Sequence, residues 1–184
     1  MAMVQDEKEE APESGYKAGT RRVLDRMLIR QGYNTADFSL KKHPSGKPYG
    51  LINDKKKVGV SISHCNTLLV CALHTRGETG VDVECCDRAL HPGLKERMYH
   101  PEEKKSFSED FCGIRLWTMK EAVLKYKGTG LRLAMKMIRL NRVNPHLFET
   151  KVDGEHIYIV SFLFENHWIA IAFSGKEFTP SLLA

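Results

Sequence analysis

The segment IRLWTMKEAVLKYK, residues 114–127, restricts the fold more than any other stretch of this chain. Helical spacing puts Leu116, Met119, Val123 and Tyr126 in one stripe, and Trp117 and Leu124 widen it to a second side. A helix apolar on more than one side has to be enclosed between layers. Its charged residues must then line a cleft or find partners. Glu121 and Lys125 stand four residues apart on one face, in the order that favours an ion pair. Gly128 stops the helix.

A second short stretch, GVDVE at 80–84, has strand alternation, with Val81 and Val83 on one face and Asp82 and Glu84 on the other. Two carboxylates side by side raise each other's pKa and cost stability unless a cation sits between them. Glu121 adds a third acid, the single one among eight bases in residues 115–142. Three carboxylates suit a divalent cation such as Mg²⁺, which takes oxygen ligands and shares itself with phosphates. Lysines beside such a site neutralise phosphate charge. His64, ending the strand-like SISH at 61–64, reads either as a structural histidine or as a phosphate contact.

Elsewhere the pattern alternates helix and strand. Residues 17–31 read as an amphipathic helix, 43–50 (HPSGKPYG) as turn chemistry, and about 58–63, 67–74 and 78–84 as strands. His100-Pro101-Glu102-Glu103 has the form of a helix start, and three more strands are expected at roughly 147–152, 155–164 and 167–174. The expected fold is α+β, with two similar helix-plus-antiparallel-sheet halves side by side and a ligand cleft between them. The expected limits are an acidic tail without fixed structure at 1–16, a first half at 17–100 and a second half at 101–184.

Charge sharpens this picture. The first thirteen residues hold five acids against Lys8, so residues 14–184 carry 27 bases against 18 acids. Lysines 41, 42, 47, 55, 56 and 57 face only Asp54 in residues 41–60, which implies a polyanionic partner. Five cysteines without CxxC spacing predict reduced thiols, and there is neither a long apolar run nor a secretory leader pattern. A cytoplasmic protein without membrane contact is therefore expected. A Mg²⁺-dependent nuclease would suit the acids and bases, but a common nuclease pattern wants lysine two residues after the acid, and that position after Glu84 is Cys86. A nucleic-acid-binding module would leave the three carboxylates unexplained, and no helix-turn-helix or RNA-recognition signature is present.

GKPY at 46–49, SISH at 61–64, GVDVE at 80–84 and WTMKEAVLKYKGTGL at 117–131 come in the order and approximate spacing of the 4'-phosphopantetheinyl transferases. The chain most resembles the larger, pseudo-dimeric members that activate peptide and polyketide synthases, over about residues 19–175. The resemblance implies transfer of phosphopantetheine from coenzyme A to a serine of an apo acyl or peptidyl carrier protein, with release of adenosine 3',5'-bisphosphate. It implies that Asp82, Glu84 and Glu121 hold Mg²⁺ against the pyrophosphate, that Glu121 also acts as base, and that Lys125 steadies the leaving phosphate. It places Lys47, Ser63 and His64 on the 3'-phosphate and Arg21 near the nucleotide. Larger members carry N-terminal lysines that reach this phosphate. Here an acidic segment stands in that place, which leaves two alternatives: weaker coenzyme binding, or substitution by Arg22 and Lys55, Lys56 and Lys57. Two halves in one chain make a monomer sufficient, and no nucleic-acid partner is implied.

Overall fold

The computed structural model describes residues 2–6, 13–103, 107, 112–175 and 182–183. The chain runs through strand β1 (Ala2–Asp6), helix α1 (Glu13–Arg30) and strands β2 (Phe38–Lys42), β3 (Pro48–Ile52), β4 (Lys56–His64), β5 (Leu68–His74) and β6 (Thr79–Cys85). Helices α2 (Pro92–Met98) and α3 (Gly113–Lys127) follow, then β7 (Asn141–Arg142), β8 (Leu147–Val152), β9 (Glu155–Phe164), β10 (His167–Phe173) and β11 (Leu182–Leu183). One sheet has the order β11-β1-β5-β4-β3-β2 and the other β6-β10-β9-β8-β7. Apart from the parallel β1–β11 pair, all neighbours are antiparallel. The fold is α+β with a long helix on each sheet, as the sequence pattern predicts.

Three apolar clusters hold these layers. Val23, Leu24, Met27 and Leu28 of α1 pack on Phe38, Ile52, Val58, Val60, Leu69, Cys71 and Leu73. In the second half Leu116, Met119, Val123 and Tyr126 of α3 pack with Phe148, Ile157, Ile159, Ala170 and Ala172. The third cluster joins the sheets: Leu68, Val70 and Ala72 of β5 meet Val81, Val83, Ile169, Ile171 and Phe173. Strand β5 therefore buries both faces, odd positions against α1 and even positions against the other sheet, which explains its unbroken apolar run LLVCAL.

Strand β6 follows β5 in sequence yet pairs along its whole length with β10, Val81 opposite Ile171 and Asp82 opposite Ala170. It also stays tied to β4, because the Val81 N–H donates to Ser61 Oγ at 2.9 Å. The two halves meet at this strand.

The N-terminal segment differs from the expected unstructured tail. Ala2–Asp6 pairs with Leu68–Ala72, and α1 begins at Glu13, four residues earlier than residue 17. An edge strand as apolar as β5 leaves a row of backbone N–H and C=O groups open, and β1 supplies their partners whatever the charge of the residues after it. Met1 and residues 7–12 lie outside the described residues, as do 104–106 of the expected helix start, of which Glu103 is seen accepting from the His100 N–H at 2.8 Å.

Candidate active site

The alternation of β6 decides what the site contains. Val81 and Val83 turn to the core between the sheets, so Gly80, Asp82 and Glu84 turn to α3. Opposite Gly80 and Asp82 on β10 stand Ala172 and Ala170, small enough to let α3 lie close. A Cβ on Gly80 would overlap Ala122 O and Tyr126 N and come within 2.9 Å of Tyr126 Cα. Glycine at 80 is thus what sets the depth of the helix over the strand.

That depth brings Asp82 and Lys125 together. Asp82 is buried at 5% exposure, and its Oδ1 accepts from Ser63 Oγ at 2.8 Å and Lys125 Nζ at 2.7 Å. The Lys125 ammonium also donates to Ser63 Oγ at 2.8 Å. Asp82 Oδ2 is buried without a hydrogen-bond partner among the described residues. The i, i+4 pair between Glu121 and Lys125 that the helix spacing favours does not form. Lys125 turns to Asp82, the more buried carboxylate, where a charge gains more from a partner.

Glu84 accepts from the Arg88 guanidinium and from Trp117 Nε1 at 3.2 Å, and Arg88 lies over the Trp117 ring at 5.4 Å. Burial, helped by the charge of Asp82 and opposed by Arg88, holds the Glu84 carboxyl above its usual range. Glu121 is half-buried and makes no hydrogen bond or ion pair among the described residues. Burial and the charges of Asp82 and Glu84, only partly offset by Lys125, push it up to about 7. Ionising Glu121 therefore costs the folded protein something the unfolded chain does not incur.

The sign gives a test. Below the ordinary value of 4.5 Glu121 is protonated in both states, and between 4.5 and about 7 only the unfolded chain ionises, so stability is lost as pH rises through that window. Glu121→Gln should raise the melting temperature of the metal-free protein at pH 8 and leave it nearly unchanged at pH 4.5. Equal shifts at both pH values would show that the carboxyl is not perturbed in this way.

The other residues singled out from sequence are spread around this centre. The turn HPSGK, closed by Gly46 N–H to His43 O at 2.8 Å with Gly46 at φ +87°, carries Lys47 across to the second half. There the Lys47 ammonium donates to the Tyr126 carbonyl at the end of α3 and pairs with Glu78 Oε2 at 2.6 Å. A cleft of about 240 Å³ lined by Lys47, Ser61, Lys125 and Gly128 connects it to Lys125. His64 is exposed at the end of β4, its ring tilted against Tyr16 with centroids 4.5 Å apart. Arg21 is engaged on the first half, with Asp25 at 2.9 Å and the Thr35 carbonyl at 2.9 Å.

Sequence reasoning missed Arg88, Glu78 and Lys120. Lys120 is fully buried beside Glu121 but points away from it, donating to Glu103 Oε2 at 2.5 Å and to the carbonyls of Met98 (2.7 Å) and Ile138 (2.8 Å). The signal for it was present: a lysine inside a helix buried on several sides requires a buried partner.

No group of three or more His, Cys, Asp or Glu side chains among the described residues is arranged to enclose a metal ion. The donor chemistry nevertheless suits a hard divalent cation. All three candidates are carboxylates, one oxygen of Asp82 is buried without a partner, and the acids disfavour each other's ionisation. Lys125 and Arg88 supply the positive charge those carboxylates require here.

Comparison with known proteins decides the family. The family model described as the 4'-phosphopantetheinyl transferase superfamily matches residues 78–172, which takes in β6, α3 and most of the second sheet. The chain belongs to that superfamily. A Bacillus subtilis 4'-phosphopantetheinyl transferase is 30% identical over 152 residues, covering 73% of this chain and 65% of the relative. A second B. subtilis transferase of that name is 30% identical over 121 residues, covering 61% of this chain and 52% of its own. A Synechocystis protein with a provisional name of the same kind is 24% identical over 95% of this chain and 78% of the relative. The chain thus spans about half to four-fifths of the relatives' lengths. As a superfamily member it is a transferase, and Asp82, Glu84, Glu121 and Lys125 all lie in the matched segment. No helix among the described residues is long and apolar enough to cross a membrane.

Proposed function

We propose that this protein transfers the 4'-phosphopantetheine group from coenzyme A to a serine hydroxyl of an apo acyl or peptidyl carrier protein. The observation that carries this reading is the cluster of Asp82, with its unpartnered Oδ2, Glu84 and Glu121 facing the Lys125 ammonium. Asp82, Glu84 and Glu121 would hold Mg²⁺. When bound, the ion neutralises and orients the pyrophosphate.

The chain's own residues account for the rest. Glu121 makes no hydrogen bond or ion pair among the described residues, so its carboxylate is free to take a proton. It would accept the serine hydroxyl proton, directly or through one water. The serine oxygen bonds to the phosphorus nearer the pantetheine as the bridging P–O bond breaks, and adenosine 3',5'-bisphosphate leaves. Lys125, with its side chain 32% exposed, is free to exchange Asp82 for the leaving phosphate and neutralise the charge developing there. Ser63 donates to Asp82 and fixes which of its oxygens stays open. Lys47 and His64 would grip the 3'-phosphate, with Arg21 near the nucleotide, while the Ser63 hydroxyl stays on Asp82.

The chain's location and assembly follow as part of the same proposal: a cytoplasmic monomer whose two halves make the cleft. The experiment is mass spectrometry of apo carrier proteins incubated with this protein, coenzyme A and Mg²⁺. The expected result is addition of one phosphopantetheine to the carrier, dependent on both additions. Carriers of fatty acid, polyketide and peptide synthesis that all remained unmodified would remove the proposal.

A further inference from the structure

Each acid of β6 keeps one oxygen occupied and leaves the other open. Asp82 Oδ1 accepts from a cation and a neutral donor, Lys125 and Ser63, while Oδ2 has no partner among the described residues. Glu84 repeats the arrangement. Its Oε1 accepts from the Arg88 guanidinium and from the Trp117 indole N–H at 3.2 Å, and its Oε2 has no partner among the described residues. Two separate elements hold these donors in place. After β6 the Arg88 N–H donates to the Cys85 carbonyl at 3.1 Å, which turns the chain back over Glu84. That turn is anchored to the β9–β10 corner. There the Asn166 carbonyl accepts from the Cys86 N–H at 2.9 Å, and the Asn166 side-chain amide donates to Asp87 Oδ2 at 2.8 Å. Trp117 comes from α3, one turn before Glu121, and packs against the core of the second half. The Arg88 guanidinium lies over its ring at 5.4 Å, so the two donors also hold each other.

We propose that Arg88 and Trp117 are positioning residues for the Glu84 carboxylate, fixing it to ligate a divalent cation through Oε2 alone. The proposal rests on the reading of Glu84 as a ligand of Mg²⁺. An octahedral cation shared with a substrate needs positions left open for phosphate oxygens and water. A carboxylate that gave both oxygens to the ion would take one of those positions. Two donors on Oε1 prevent this, because they commit the lone pairs of that oxygen. They also hold the side chain in one orientation, so less freedom is lost when the ion binds. Plain charge neutralisation predicts the opposite effect. A guanidinium that served only to offset three acids would repel an incoming cation, and its removal would tighten metal binding. Trp117 is neutral, so its contribution separates position from charge.

The test is calorimetric titration of Mn²⁺, which takes the same oxygen ligands as Mg²⁺, into wild type, Trp117→Phe, Arg88→Met and Glu84→Gln. Trp117→Phe keeps an aromatic ring beneath Arg88 and removes the N–H donor. Arg88→Met removes the guanidinium from a side chain that is 42% exposed, so folding does not depend on it. Both variants should bind Mn²⁺ about tenfold more weakly, the lower end of the usual loss when a metal ligand loses its supporting partner. The Mg²⁺ concentration for half-maximal transfer should rise by a similar factor, with the rate at saturating Mg²⁺ within about twofold of wild type. Coenzyme A affinity without metal should not change, since neither residue has been placed on the coenzyme. Unchanged Mn²⁺ affinity in either variant would overturn the proposal, and tighter binding by Arg88→Met would overturn it in favour of plain neutralisation. Failure of the underlying reading looks different: Glu84→Gln would then bind Mn²⁺ as wild type does, and the proposal would fall with it.

Discussion

Asp82→Ala and Glu121→Ala are each expected to lower phosphopantetheinyl transfer by on the order of a thousandfold while leaving a folded protein. Both side chains contribute more to the proposed chemistry than to stability. Asp82 is held by Ser63 and Lys125, but it also raises its neighbours' pKa values and leaves one oxygen buried without a partner. Its loss frees Lys125, which is exposed enough to return to water, and relieves Glu121. Glu121 has no described partner to lose, so its removal should stabilise the metal-free protein. Steady-state turnover with saturating Mg²⁺, together with thermal melts, separates the two effects. Near-normal turnover in either variant would take that carboxylate out of the site. Loss of turnover with loss of folding would make it a structural residue instead.

Gly80→Ala should damage the protein by a different route. The new methyl group overlaps backbone atoms of Ala122 and Tyr126, which no rotamer change can relieve. Either α3 lifts away from β6 or the strand bends, and both open the cluster formed by α3, β9 and β10. Overpacking of this kind costs about 3 kcal/mol or more. In a chain of this size that corresponds to roughly 6–12 °C in melting temperature. Because Lys125 and Glu121 ride on α3, the surviving folded fraction should also lose activity, with the Lys125–Asp82 contact of 2.7 Å lengthened. Gly93→Ala is the control, since a Cβ there meets nothing closer than His91 at 3.5 Å. Equal melting temperatures for Gly80→Ala and wild type would mean that α3 does not lie on β6 as described.

Much of this molecule is written in local sequence. The period of IRLWTMKEAVLKYK places its helix and its buried stripe, and Gly128 at φ 68° ends it where the left-handed conformation is needed. The alternation of GVDVE puts two valines in a core and two acids together on the opposite face, because side-chain direction along a strand depends only on parity. The turn at 43–47 and the strand pattern of both halves follow from the same short-range rules.

What depends on which elements become neighbours could not be read this way. Lys125 pairs with Asp82 across 43 residues rather than with Glu121 one turn back, because burial makes the distant carboxylate the better partner. Glu78 gathers lysines 31 and 21 residues away, and Lys120 meets a glutamate 17 residues before it. Strand β6 leaves the sheet of its predecessor to join β10, and the N-terminal residues that composition alone would leave unstructured form a strand on the edge of β5. Sequence determined the faces of each element, which are local consequences of backbone geometry. Tertiary structure alone decided which charges share a low-dielectric environment, because interaction strength and pKa depend on spatial neighbours and burial rather than on position along the chain.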